Sequence, residues 1–175
     1  RQTAHVLIER QIDHMTRLID DLLDVSRIER GKITLRTADF DLARRVHDTV
    51  EEHRALLDES GIALEYQGPS TPLWANGDAA RIAQILSNLI VNANKFTDRG
   101  GRVFIETRPQ DDRGATIVVR DTGIGMDAET LNAIWKPFAQ ADRSMERSRG
   151  GLGLGLSLVK SLAELHGGSV CGKSL

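Results

Sequence analysis

The chain has 175 residues, 40% of them hydrophobic and 27% charged, with a formal net charge of −2. That balance fits a globular domain with or without an appendage, and it gives no basic surface for nucleic acid. Aromatics at 4% leave too few rings for a base-stacking platform, the lone Cys171 excludes an internal disulfide, and no apolar run reaches membrane-spanning length, so neither nucleic acid nor direct membrane insertion is expected and a cytoplasmic location is the default.

Residues 1–31 form a distinct unit. Ile8, Ile12, Met15, Ile19 and Leu22 are spaced four, three, four, three, an a/d seam flanked by Leu18, Leu23, Val25 and Ile28. Charges such as Glu9, Arg10, Asp13, Arg17, Asp20, Asp21 and Asp24 fill the remaining surface. The spacing predicts one helix, about 45 Å long at ~1.5 Å per residue, ending near Gly31. One helix cannot bury such a stripe against itself. The seam is narrow and regular, so a partner helix is expected rather than a fold back onto the chain.

From Lys32 the pattern changes. Short β-like runs fall at Ile33–Leu35, Ile62–Tyr66, Leu73–Ala75, Val103–Thr107 and Thr116–Arg120. Helical patterns span Leu42–Leu57 and Asp78–Phe96, the second with Asp78 as N-cap. Gly68–Pro72 and Thr97–Gly101 read as turns, and Gln110–Gly114 as a polar hairpin loop. A last helix is expected from about Gly155 to His166, ended by Gly167 and Gly168. Strands and helices mix without a strict alternation. The expected class is α+β, a two-layer α/β sandwich with a mixed sheet and helices on one face, preceded by the long helix.

Chemistry concentrates in three stretches. Asn88, Asn92 and Lys95 lie at i, i+4 and i+7 of the Asp78–Phe96 helix, one polar stripe opposite a full apolar face. A carboxamide oxygen is a hard neutral ligand suited to Mg²⁺, and a lysine one turn on can meet phosphate. Next comes Asp121-Thr-Gly123-Ile-Gly125-Met126, directly after a β-run. A carboxylate there can accept from the exocyclic amine of adenine, while guanine presents a carbonyl and is repelled. Gly123 and Gly125 let backbone pass close to a flat ring.

The third stretch is Arg149-Gly-Gly-Leu-Gly-Leu-Gly-Leu156, with glycines at 150, 151, 153 and 155 before a helix start. A glycine-rich loop feeding a helix N-terminus is a phosphate-binding device. No G-K-[ST] follows, so it is not a P-loop. Leu152, Leu154 and Leu156 are expected to dock the loop on the core. The polar stretch before it holds Arg143, Arg147 and Arg149 and reads as a lid with cationic contacts.

In this order and spacing the stretches resemble the N, G1, F and G2 boxes of the histidine kinase catalytic domain, a branch of the GHKL ATPase superfamily. The N box matches Asp78–Thr97, the G1 box Asp121–Met126, the F box Trp135-Lys-Pro-Phe138 and the G2 box Gly150–Leu156. Glu164-Leu-His-Gly-Gly168 also fits, and Asp20–Lys32 looks like the end of the second helix of the dimerisation and phosphotransfer hairpin. The resemblance implies a Bergerat-type ATP fold over residues 32–175 and the hairpin helix over 1–31. It implies ATP and Mg²⁺ as cofactors, with Asn92 the main metal ligand and Asn88 beside it. Lys95 would contact phosphate, Asp121 hold adenine, and Gly123, Gly125 and Met126 shape the pocket. Phe138 would pack at the lid base, and Arg149, Gly151, Leu152, Gly153, Leu154, Gly155 and Leu156 would line the phosphate loop. The implied reaction carries the γ-phosphoryl of ATP to a histidine and then to a response-regulator aspartate. The implied assembly is a homodimer through the N-terminal helix, and the implied parent is a cytoplasmic or membrane-anchored sensor.

The sequence departs from the family at two points. None of its five histidines, His5, His14, His47, His53 and His166, carries the phosphoacceptor pattern of a following acid and then proline. The acceptor is therefore expected outside this sequence, on a preceding helix. The family continues from Gly168-Ser-Val into a β-hairpin, whereas this sequence stops at Leu175, so an open sheet edge is expected. Alternatives are another GHKL ATPase and a nucleotide-binding regulatory module without kinase activity. Gyrase- and chaperone-type relatives carry a glutamate at the position of Asn88 to activate water, a role that asparagine cannot fill.

Overall fold

Strict alternation makes the central strand. Val103, Ile105 and Thr107 are buried on one side of it while Phe104, Glu106 and Arg108 face the other way. The computed structural model describes residues 2–110, 114–139 and 152–174. In chain order these form α1 (Gln2–Glu29), β1 (Ala38–Asp41), α2 (Leu42–Ser60), β2 (Ala63–Gln67), β3 (Trp74–Gly77), α3 (Ala79–Phe96), β4 (Arg102–Pro109), β5 (Ala115–Asp121), α4 (Ala128–Ala133) and α5 (Gly155–Leu165).

The expected mixed sheet is present in two parts. A three-stranded sheet has order β2-β4-β5, with β2 parallel and β5 antiparallel to β4. A separate antiparallel pair joins β1 to β3. The run Ile33–Leu35 is not a strand. Strand pairing begins at Ala38, opposite Gly77, and just before it the Arg36 N–H turns to the Asp78 carboxylate (2.9 Å) instead of a ladder. Helix α4 was not expected from the sequence, although Asp127 caps it by accepting from the Thr130 N–H at 2.7 Å. Residues 168–174 form no strand. They pass α4, where a Cβ on Gly172 would touch Leu131, Ile134 and Trp135, and the Ser174 hydroxyl oxygen accepts from the Met126 N–H at 2.8 Å.

Helices α2 and α3 cover one face of the sheet. Val46, Val50 and Leu57 of α2 and Leu86, Ile90 and Ala93 of α3 pack with Leu64, Val103 and Ile105. Helix α3 has a second apolar side. Ile85 joins Leu154, Leu158, Val159 and Leu162 in another core cluster, which fastens α5 to α3. So α3 is gripped from both sides, and its remaining stripe is the polar one.

The expectation for α1 needs a partial correction. Ile12, Met15, Ile19, Leu22 and Leu23 are exposed, as a seam without its partner helix would be. The last turns, however, do fold back on the core. Val25 and Ile28 pack into the α5 cluster, and Asp24 is buried at 6% exposure. These residues lie off the seam, so one helix serves two surfaces.

Asp78 sets the N-terminus of α3. Its Oδ1 accepts from the Ala80 and Arg81 N–H groups (3.1 and 3.2 Å), its Oδ2 accepts from Arg36, and its own N–H donates to His166 Nε2 at 3.1 Å. Burial pushes the Asp78 carboxyl up, but those backbone hydrogen bonds and the Arg81 charge outweigh it and hold the group below its usual range. A depressed carboxyl stabilises the fold above its unfolded pKa and ceases to do so as pH falls through the folded value. Asp78→Ala is therefore expected to cost about 1–2 kcal/mol in denaturant unfolding at neutral pH, as for a lost helix cap. The gap to wild type should narrow as pH drops below the ordinary aspartate range; a gap that is constant with pH would contradict this.

Candidate functional site

The polar stripe of α3 and the start of α5 meet. A Cβ on Gly155, the first residue of α5, would stand 3.8 Å from Asn88 Cγ and Oδ1 and 3.8 Å from Asn92 Nδ2. No side chain caps α5 at Leu154, so its first N–H groups carry the helix dipole without a capping side-chain oxygen. The Ser157 hydroxyl donates to Leu154 O at 2.8 Å and leaves those donors alone. The two carboxamides therefore look onto an uncapped helix N-terminus, an arrangement fit for an anion.

Lys95 follows one turn on. It is half-buried beside the Phe96 ring, with Nζ 4.8 Å from the centroid, and burial pushes its ammonium below its ordinary pKa. An arriving anion would favour the charged form. Asn88 Nδ2 is buried with no hydrogen-bond partner. Amide oxygen and nitrogen interchange by a flip of the side chain, so the orphaned site can equally present oxygen. Among the described residues no group of three or more His, Cys, Asp or Glu side chains could hold a metal. Any cation here must use neutral amide oxygens plus the ligand's own, which the Asn88–Asn92 pair fits.

The Asp121–Met126 loop is stitched to the end of α3. The Ile124 N–H donates to Phe96 O at 3.2 Å, and a Cβ on Gly123 would stand 2.4 Å from that same oxygen. Only glycine allows this approach. Asp121 is exposed, and its Oδ1 accepts from the Gly123 N–H at 2.9 Å. Its other oxygen has no hydrogen bond among the described residues, so it can still accept from a ligand. Gly125 turns with φ 70°, and Ile124 and Met126 are exposed apolar side chains beside it.

Phe138 and Gly153 hold the base of the remaining segment. The Phe138 N–H donates to Gly153 O at 3.1 Å, and Phe138 takes a φ of 61°, a strained value for an aromatic residue. Phe138 is exposed rather than packed. Of the loop leucines, Leu154 is buried, Leu156 half-buried and Leu152 exposed. Arg149 and Gly151, together with Arg143 and Arg147, lie outside the described residues. The structure thus gathers Asn88, Asn92 and Gly155, links Asp121 and Gly123 to the end of α3, and joins Phe138 to Gly153. Sequence reasoning missed the contact in which buried Asp24 on α1 accepts from Arg81 Nη2 at 3.2 Å and from Gln84 Nε2 at 2.9 Å on α3, because long-range ion pairs leave no local signal.

An α+β sandwich whose glycine-led helix start faces an asparagine stripe, with a carboxylate-and-glycine loop alongside, defines a nucleotide-binding ATPase class. Comparison with known proteins agrees. Residues 77–174 match the family described as histidine kinase-, DNA gyrase B- and HSP90-like ATPases, and the chain belongs to it. It is 37% identical over 171 residues to the sensor protein GacS of Pseudomonas syringae pv. syringae, covering 93% of this chain and 18% of that protein. It is 38% identical to the histidine protein kinase DivJ of Caulobacter vibrioides, covering 94% of this chain and 27% of that one. Among solved structures, full-length ShkA in complex with AMPPNP aligns at TM-score 0.79 and 28% identity, covering 99% of this chain and 37% of that one. The chain therefore spans less than a third of the length of GacS and DivJ. Its ATPase domain is of the sensor-histidine-kinase kind. Among the described residues no helix is long and apolar enough to cross a membrane.

Gly153 and Gly155 make a paired test. Gly153 has φ 69°, and a Cβ there would stand 2.5 Å from Ala139 O, so Gly153→Ala should cost about 1–3 kcal/mol in unfolding. The Cβ of Gly155→Ala meets nothing closer than 3.8 Å, and the change should leave stability within about 0.5 kcal/mol or raise it. Equal losses would contradict the geometry.

Proposed function

We propose that this chain is the ATP-binding catalytic part of a two-component sensor histidine kinase. It would present the γ-phosphoryl of ATP to a histidine supplied from outside this sequence, for relay to an aspartate on a response-regulator receiver domain. The observation that carries the reading is the uncapped start of α5 lying against Asn88 and Asn92. Those first N–H groups would take phosphate oxygens, Lys95 would add a point charge, and Asn92 and Asn88 would hold Mg²⁺ through their amide oxygens. When bound, the ion supplies charge neutralisation on the transferring phosphoryl group. Asp121 would accept from the adenine amine through the oxygen that Gly123 does not use. Its carboxylate gives a preference for ATP over GTP. Met126, Gly125 and the exposed Ile124 would border the ring, and Leu152, Phe138, Arg149 and Gly151 would belong to the cover over the phosphates.

Residues 1–31 fit the second helix of a dimerisation and phosphotransfer hairpin, since the seam stays exposed while the last turns hold the core. Residues 32–175 would then be the catalytic domain, and the parent would dimerise through α1. A hydrolytic reading has less support, because Asn88 cannot take a proton from water as a carboxylate would.

Two measurements test this. Titration with a non-hydrolysable ATP analogue and Mg²⁺ should give binding that Asn92→Ala and Asp121→Ala each weaken at least about tenfold, or ~1.4 kcal/mol. Undiminished affinity in both variants would remove the assigned pocket. Incubation of the isolated chain with γ-labelled ATP should leave every histidine unlabelled, and label on any of them would refute the assignment of an external acceptor.

A further inference from the structure

Helices α3 and α5 run antiparallel: the end of α5 lies at the start of α3, and the start of α5 lies beside Asn88 and Asn92. Most of what holds them together is apolar. Ile85 of α3 packs with Leu154, Leu158, Val159 and Leu162 at and along α5. Contact of that kind is non-directional, and it presses two helices together without fixing how far one has slid along the other. On another side α5 borders a gap of about 180 Å³, lined by Trp135, Ser157 and Ser161 among others, so packing there does not fix it either.

The directional contact is at the far end of the pair. The Asp78 N–H donates to His166 Nε2 at 3.1 Å, and among the described residues no other hydrogen bond or ion pair joins the two helices. Both partners in this bond are held by their own helices. The His166 backbone N–H donates to Leu162 O and Ala163 O, and its Nδ1–H donates to Leu162 O at 2.7 Å, so the imidazole continues α5. Asp78 is locked to the first turn of α3 by the Ala80 and Arg81 N–H groups. A Cβ on Gly77 would stand 3.0 Å from His166 Cδ2, so the ring is seated tightly against β3.

Measured from that pin, the helix rise sets where α5 begins. Gly155 lies 11 residues before His166, about 16 Å at ~1.5 Å per residue. Counted from Asp78, Asn88 lies 10 residues and Asn92 14 residues along α3, about 15 and 21 Å. The start of α5 should therefore fall between the two asparagines, and a Cβ on Gly155 does stand 3.8 Å from both side chains.

We propose that His166 is a positioning residue: its bond with the Asp78 N–H pins the far end of α5 and makes the helix a ruler that sets its first N–H groups against Asn88 and Asn92. The inference rests on the reading of that helix start as the phosphate site. A slide of α5 by about 1 Å would carry those groups out of the ~2.7–3.2 Å range of a hydrogen bond to a phosphate oxygen. The Asp121–Met126 loop is tied to Phe96 O at the end of α3, so the adenine end of the pocket does not follow such a slide.

Two ligands separate position from stability. Wild type and each variant are titrated with a non-hydrolysable ATP analogue plus Mg²⁺ and with adenosine, which lacks the phosphates, and denaturant unfolding confirms that each variant is folded. In His166→Ala, analogue affinity should fall at least about tenfold while adenosine affinity stays within about twofold of wild type. His166→Gln keeps a side-chain acceptor and should recover most of the analogue affinity. Gly77→Ala leaves the imidazole present but pushes on it, and should weaken the analogue in the same pattern, though less; it decides the matter if His166→Ala does not fold. Unchanged analogue affinity in folded His166→Ala overturns the proposal, as does unchanged affinity in Gly77→Ala where the first variant does not fold. So does an equal loss for both ligands, or a loss that His166→Gln does not relieve, because His166 would then be a packing residue only. A wild type that binds the analogue no better than adenosine would instead sink the phosphate site, and with it the functional reading, whatever the variants do.

Discussion

One carboxylate organises the molecule. Asp78 ends β3's turn into α3, and through its hydrogen bonds it reaches the connector at Arg36, the first turn of α3 and, by way of its own N–H, His166 at the end of α5. His166 accepts at Nε2 and donates from Nδ1 to Leu162 O at 2.7 Å, which requires the neutral Nδ1-protonated tautomer. The imidazole also sits where a Cβ on Gly77 would stand 3.0 Å from its ring, so even the glycine beside Asp78 is part of the fit. The two helices that carry the site are thus joined at the end away from the ligand. Their ligand-facing ends can be shaped by the loops without disturbing the joint.

At those ends the structure tolerates local irregularity. Asn88 has an orphaned amide nitrogen, α5 starts without a side-chain cap, and Phe138 sits in left-handed backbone. Each costs stability in the free protein, and together they mark where a ligand repays the cost. Orphaned polar atoms alone would be a weak guide, because Thr107 Oγ1 in mid-sheet and Arg45 Nε on α2 are also without partners. What singles out the site is their coincidence with an open helix N-terminus and with Gly123 and Gly153, where a Cβ would have no room.

Much of this was legible in the sequence. The Asp78 cap, α3, β4, β5 and the start of α5 follow from capping residues, alternation and glycines, all short-range signals. The asparagine stripe could be read because a helix turns i, i+4 and i+7 onto one side. The failures were long-range. Ile33–Leu35 has strand-forming residues, yet the pairing with β3 starts only at Ala38. Leu152 has the same neighbours as Leu154, but the chain direction at Gly153 sends one outward and the other into the core. Asp24 looked like one more surface charge on α1, and only the folded chain brings Arg81 and Gln84 to it.

The two working faces of α1 also impose a phase relation on its length. The seam and the face that carries Asp24, Val25 and Ile28 are read from one rigid shaft, so their relative angle is set by the count of residues between Leu22 and Asp24 and by the regularity of the helix there. One inserted residue would turn the core-facing side by about 100° relative to the seam and swing the core a quarter of the way or more around the helix, while seven would turn it by only ~20°. Insertions in α1 upstream of Asp24 should therefore survive in heptad steps. Sequence drift in this helix is constrained less by which residues change than by how many are added.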